Sequence, residues 1–138
     1  ISMTDGNGQR KILCDLFQGR QFNSPNDLEI KSDGTIWFTD PPYGLGDRTQ
    51  ELDFNGVFRL EPKTQALTVV TQDLSMPNGI AFSPDETKVY VGNSAAGDRY
   101  IWALTINSNG TLSDGEILCQ IDNNDWGADG VDVDANGN

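Results

Sequence analysis

The segment SPNDLEIKSDGTIWFTD at 24–40 reads in parallel with MPNGIAFSPDETKVYVGNS at 76–94, and GADGVDVDANGN at 127–138 opens a third copy. From Asn26 to Asn78 is 52 residues, and from Asn78 to Asp129 is 51. Each copy has a tight Asn or Asp turn, an alternating strand, a polar turn containing Asp, and a second apolar strand. A period near 50 residues built from four short strands is the signature of a propeller blade. One blade cannot cover both of its own faces, so its neighbours must cover them.

The rest of the chain agrees with that unit. Helical periodicity is nearly absent, and short β-rich runs stand at ILCDLF (12–17), IWFTD (36–40), GVFRL (56–60), LTVV (67–70), KVYVGN (88–93) and IWALTI (101–106). Clusters such as SDGT, SPDET and SNGT separate them as turns. The pattern places the runs near 26–31, 78–83 and 129–133 innermost. IWFTD or KVYVGN follows, then GVFRL or IWALTI, with LTVV or GEILCQI outermost. The expected fold class is therefore all-β: roughly two and a half blades of four-stranded antiparallel sheets, in a chain of 138 residues. Fewer than three blades do not close a ring, so residues 1–138 are expected to be an open arc truncated at both ends, poorly folded and inactive alone.

Superposed repeats put Asn26, Asn78 and Asp129 at one position in three consecutive blades, in the turn entering the innermost strand. Three oxygen-bearing side chains converging on a common axis suit Ca²⁺, which accepts carboxylate and amide oxygens in flexible geometry. The same phase would also arise from turn chemistry alone, because Asn-Gly and Asp-Gly are favoured turn dipeptides. DVDANG at 132–137 matches the opening of an EF-hand loop, but its place between two strands makes it a β-turn. TDPPYGLGDR at 39–48 is a semi-rigid loop, either a wall over the channel mouth or a stiff connection. Asn109-Gly110-Thr111 has the form of a glycosylation acceptor and reads as a hairpin turn.

Charge and composition close off other chemistries. There are 21 acids against 9 bases, a net charge of −12, and the bases are scattered singly. Nucleic acid and anionic membranes are poor partners for such a chain. No apolar run approaches the length that spans a bilayer. With no histidine and two cysteines, neither a nitrogen-and-sulfur zinc site nor a Ser-His-Asp or Cys-His nucleophile can be built. Any metal must be a hard cation held by oxygens. Cys14 and Cys119 fall in apolar runs at similar phases two units apart, and are read as buried free thiols rather than a disulfide. No charged-then-apolar leader follows Ile1. Any targeting segment is absent or lies outside these residues, and a soluble protein with the cytoplasm favoured is the expectation.

FNSPNDLEIKSDGTIWFTDPPYGL at 22–45, NGVFRLEP at 55–62 and MPNGIAFSPDETKVYVGNS at 76–94 closely resemble the SMP-30/gluconolactonase/LRE-like family, in the same order. ADGVDVDANGN resembles that family's PDG-type segment, with Ala128 where proline is common. The resemblance implies a six-bladed propeller that hydrolyses lactones such as gluconolactone, with a divalent cation, most often Ca²⁺, in its central channel. It implies Asn78 and Asp129 as metal ligands and Asn26 as a residue contacting substrate or water. The family's acidic ligand from an early blade has no match here and should lie upstream of Ile1. The implied mechanism is metal-assisted ester hydrolysis, in which the cation polarises the lactone carbonyl and Asp129 also serves as general base. A competing reading is a non-catalytic propeller that binds a sugar or lipid in its channel, since one fold hosts many functions. A scaffolding propeller is a third, although it would not need polar oxygens at all three turns.

Overall fold

The computed structural model describes residues 1–122 and 127–138. The described residues are all-β. Two short hairpins open the chain: β1 (Ser2–Thr4) with β2 (Arg10–Ile12), and β3 (Leu16–Phe17) with β4 (Arg20–Gln21). A four-stranded sheet follows from β5 (Leu28–Ile30), β6 (Ile36–Asp40), β7 (Gly56–Glu61) and β8 (Ala66–Thr71). A second comprises β9 (Pro77–Phe82), β10 (Lys88–Ala95), β11 (Asp98–Ile106) and β12 (Leu112–Gln120). Both sheets are antiparallel meanders in chain order. These are blades of a partial propeller.

Alternation along the strands explains how one sheet serves two cores. On β6, Trp37 faces the second sheet, where it joins Val57, Ile80, Val89, Val91 and Leu104. Ile36 and Phe38 face the other way, onto Phe22, Leu52, Phe58 and Leu60. A strand has a side-chain period of two, so a run buried on both faces reads as continuously apolar. IWFTD is buried at all five positions. Trp37 meets Phe82 edge-on at 5.5 Å across the gap between blades, and Phe22, Phe38 and Phe58 lie 5.1–5.3 Å apart on the far face.

The repeat is visible as three equivalent turns. Lys31 and Gly34 close the first (Gly34 N–H to Lys31 O, 2.8 Å), Ser83 and Glu86 the second (2.8 Å), and Asp134 and Gly137 the third (3.0 Å). Each has a positive φ at its last position: 88° at Gly34, 54° at Glu86 and 86° at Gly137. DVDANG is thus the β-turn that its repeat phase requires, and Asn109-Gly110 forms the β11–β12 turn, with Gly110 at φ 79°.

Some expectations change. No strand is formed over 129–133, where a third innermost strand was expected; these residues pack against β9 with no described second strand to pair with. ILCDLF is not one strand. The chain bends at Leu13, and only Leu16–Phe17 pair, with β4. Both cysteines are free, as expected, but neither is buried: Cys14 is half-buried and Cys119 is exposed on β12, the outermost strand.

Asp40, at the end of β6, is wholly buried. Its Oδ2 accepts the Asn23 N–H at 2.9 Å and its Oδ1 the Ser24 N–H at 2.8 Å. Asn93 holds the matching place in the second blade, where its Oδ1 accepts the Met76 N–H at 2.9 Å. Burial pushes the Asp40 carboxyl up from its ordinary 3.8 to about 6, against the pull of the two backbone N–H groups and Arg48. A raised folded pKa gives stability that is present below pH 3.8 and lost as pH rises towards 6. Several other carboxylates are held below their ordinary values and contribute with the opposite sign. Comparison with Asp40→Asn isolates the effect: in urea unfolding of the protein, wild-type stability relative to the variant should fall by roughly 2–3 kcal/mol between pH 4 and 6, then level off.

Candidate functional site

Each inner strand is tied directly to its neighbour. Thr39, buried in β6, donates its hydroxyl to the carbonyl of Asn78 at 2.7 Å. The N–H of Ile80 in β9 donates to Asp27 Oδ2 at 3.0 Å. On the other side, residues 129–131 run against β9 so closely that a Cβ on Gly79 would overlap the Asp129 carbonyl oxygen and lie 2.6 Å from the Val131 nitrogen. A Cβ on Gly92 would lie 2.8 Å from that of Ala128. Only glycine permits this approach of backbone to backbone.

These ties bring the turns that enter the inner strands to one end of the arc. Asn26, Asn78 and Asp129 all line a single open cavity of about 390 Å³, together with Tyr43, Ser94, Arg99, Gly127 and Ala128. Asn78 is buried, and Asn26 and Asp129 are exposed into the open space. Asn78 Nδ2 points towards Ser94 Oγ at 3.5 Å, and the Ser94 hydroxyl in turn donates to the carbonyl of Ala128. Asn78 Oδ1 is buried and has no hydrogen-bond donor. A buried amide oxygen without a partner is costly, and Asp129 lines the same cavity. Among the described residues no three His, Cys, Asp or Glu side chains cluster to hold a metal. The oxygen set of Asn78, Asp129 and Asn26 fits a hard divalent cation, with one carboxylate contributed by these residues.

Three cavity residues were not singled out by the repeat. Tyr43 belongs to the TDPPYGLGDR loop, which therefore forms a wall of the cavity. Burial raises the Tyr43 pKa, the side chains of Ser94 and Asn78 pull it down, and the charge of Asp129 raises it again. Ser94 escapes the alignment because the turn before β10 is one residue longer than its counterpart: the Ser83 N–H reaches the Lys88 carbonyl where the Lys31 N–H reaches the Thr35 carbonyl. Arg99 lies on β11 directly opposite Ser94, in a hairpin whose counterpart in the first blade is the long loop. No described helix is long and apolar enough to cross a membrane.

The family model for the SMP-30/Gluconolactonase/LRE-like region matches residues 1–138. The chain belongs to this family. A gluconolactonase of Zymomonas mobilis is 41% identical over 140 aligned residues, covering 94% of this chain and 39% of that protein. The lactonohydrolase oryL of Aspergillus oryzae is 38% identical over 97 residues, covering 68% of this chain and 22% of its own length. Among solved structures, a gluconolactonase from Xanthomonas campestris superposes with a TM-score of 0.88 at 37% identity, covering 99% of this chain and 46% of that one. This SMP-30/gluconolactonase-family chain thus spans less than half the length of these relatives.

The close approach at Gly79 gives a direct test of how Asp129 is held. Gly79→Ala should destabilise the protein by about 1–3 kcal/mol in urea unfolding, because backbone atoms must move apart. Gly130→Ala, where an added Cβ meets nothing within 4 Å, should change stability by no more than about 0.5 kcal/mol.

Proposed function

We propose that the protein is a metal-dependent lactone hydrolase of the gluconolactonase type, and that its activity belongs to a closed six-bladed ring of which residues 1–138 supply a part. The observation that supports this most is the convergence of Asn26, Asn78 and Asp129 on one cavity, with Asn78 Oδ1 buried there and lacking a donor. The lactone-hydrolysing relatives named above support the substrate class.

In this reading Asn78 Oδ1 and the Asp129 carboxylate hold a divalent cation, most simply Ca²⁺, completed by an acidic ligand from outside this chain. When bound, such a cation polarises an ester carbonyl and stabilises negative charge on its oxygen. Asn78 contributes an oxygen without adding charge. Ser94 Oγ lies on the Nδ2 side of this amide, which leaves Oδ1 as the group for the cation. Asn26, exposed at the rim, hydrogen-bonds the substrate or its water. Asp129 accepts the proton of the attacking water, the role left open by the absence of histidine. The partner is a small-molecule lactone, with no nucleic acid and no membrane involved.

The deciding experiment is gluconolactone hydrolysis by the complete protein, with and without a chelator. Hydrolysis abolished by chelator and restored by Ca²⁺ is expected; Ca²⁺-independent hydrolysis overturns the metal assignment. Binding of the lactone without turnover favours the non-catalytic sugar-binding reading. Asp129→Asn should weaken Ca²⁺ binding at least about tenfold by calorimetry, since an anionic ligand is lost. The 138-residue chain alone should show no hydrolysis, because its cavity provides one carboxylate and is open on one side.

A further inference from the structure

We infer that Arg48 is a positioning residue for the substrate side of the cavity: it clasps the segment that leads to Asn26, and so fixes where Asn26 and Tyr43 stand relative to each other. The inference rests on the hydrolase reading and adds what holds the lactone's own groups in place, apart from the cation. Arg48 does not itself line the cavity. It acts through the two segments it joins.

Tyr43 reaches the cavity from a long connection without regular pairing. No strand is formed over 41–55, and Tyr43 and Asn26 are both exposed at the rim. Left to itself, a loop of this length would sample many positions and lose that freedom only when substrate binds. The equivalent connection in the second blade is a tight hairpin, paired up to Ala95 and Asp98. It needs no further anchor. The first blade lacks that pairing, and Arg48 supplies another tie at the same place.

The clasp closes the loop into a ring. After a turn in which the Arg48 N–H donates to the Leu45 carbonyl at 3.1 Å, the guanidinium donates to Gln21 Oε1 at 3.0 Å, to the Phe22 carbonyl at 3.3 Å and to the Asn23 carbonyl. At the loop's other end the buried Asp40 carboxylate accepts the N–H groups of Asn23 and Ser24. The backbone at 22–24 is thus gripped from two sides by groups of opposite charge, one from each end of the loop. Between them the loop lies directly on this segment, since a Cβ on Gly44 would overlap the Ser24 hydroxyl. Two residues further on, the Asn26 N–H donates to the Thr39 carbonyl at 2.9 Å, so a shift at 22–24 reaches Asn26 through a short and otherwise fixed stretch. Arginine suits the clasp: its planar fork offers five donors to acceptors on three consecutive residues, where lysine presents a single point charge. Groups held in place before the substrate arrives need not be ordered when it binds.

The test uses the complete Ca²⁺-loaded protein, with Arg48→Ala and Arg48→Lys beside wild type, on two lactones. Gluconolactone carries hydroxyls to meet Asn26 and Tyr43. δ-Valerolactone has the same six-membered ring and none; it is followed by its hydrolysis or, failing that, by its inhibition of gluconolactone hydrolysis. Arg48→Ala should raise KM for gluconolactone about tenfold, with kcat within about threefold of wild type, because two side chains must then be ordered on binding. Arg48→Lys keeps the charge without the fork and should show a smaller rise in the same direction. It carries the test alone if Arg48→Ala does not fold. For both variants the δ-valerolactone constant and the Ca²⁺ affinity by calorimetry should stay within about threefold of wild type. An unchanged KM for gluconolactone, an equal change on both lactones, or a parallel loss of Ca²⁺ affinity shows that Arg48 serves stability alone and overturns the inference, leaving the hydrolase reading intact. A wild-type protein that does not hydrolyse gluconolactone overturns the hydrolase reading itself, and the role of Arg48 with it.

Discussion

Where Gly79 passes residues 129–131, and where the Thr39 hydroxyl of β6 meets the Asn78 carbonyl, neighbouring units touch at β9. Inner strands carry backbone groups on an edge that no further strand covers, and unpaired groups of this kind are expensive when buried. Asp27 and Thr39 take up part of that need by bonding the next unit's backbone. The arrangement of the cavity follows from it. Once β9 is fixed against β6, and the 129–131 segment against β9, the side chains at the entrances of these segments are held at one end of the arc with little freedom to separate.

The two blades are also joined at the opposite end. Glu86, from the second turn, accepts from Lys31 Nζ at 2.8 Å and from the Ser32 backbone N–H at 2.7 Å in the first. Those hydrogen bonds hold the Glu86 carboxyl below its usual range. Glu86 adopts φ 54°, a conformation that costs a residue with a Cβ, and its side-chain bonds offset that cost. Between the two ends lies the shared core around Trp37, so apolar packing fixes the spacing of the sheets and polar contacts fix how they are turned relative to each other.

Most of this architecture was readable because a repeat is redundant: the turns at 31–34, 83–86 and 134–137 encode the same geometry three times. Asn26, Asn78 and Asp129 were legible for the same reason, and the structure places all three on one cavity. What was not legible is what a repeat does not duplicate. ILCDLF has the composition of a strand, yet Leu13 and Cys14 pack against the Phe58 side of the first sheet instead of pairing. Cys119 lies in an equally apolar run, but edge position overrides composition and leaves Ile117 and Leu118 exposed beside it. Tyr43 and Arg99 come from segments that differ between the two blades, so no internal comparison could point to them.

The unequal connections of the two blades bear on a more general matter. Asp40 and Asn93 do the same job in their blades, yet they lie 53 residues apart where the strands before them are offset by 52. One extra residue has been taken up in the turn before β10, where the Ser83 N–H reaches the Lys88 carbonyl while the Lys31 N–H reaches the Thr35 carbonyl, so along β10 the offset is 53 throughout and Pro41 in one blade is answered by Ser94 in the next. A ring of identical units would offer a ligand on its axis the same chemistry from every direction. A small chiral molecule has no rotational symmetry to match, and turning it over requires that different sides of it meet different groups. A long loop after β6 and a tight hairpin after β10 leave the sheet pairing intact while making the rims of two duplicated units unlike. This is an economical route from a symmetric scaffold to a centre that can tell one side of its ligand from another.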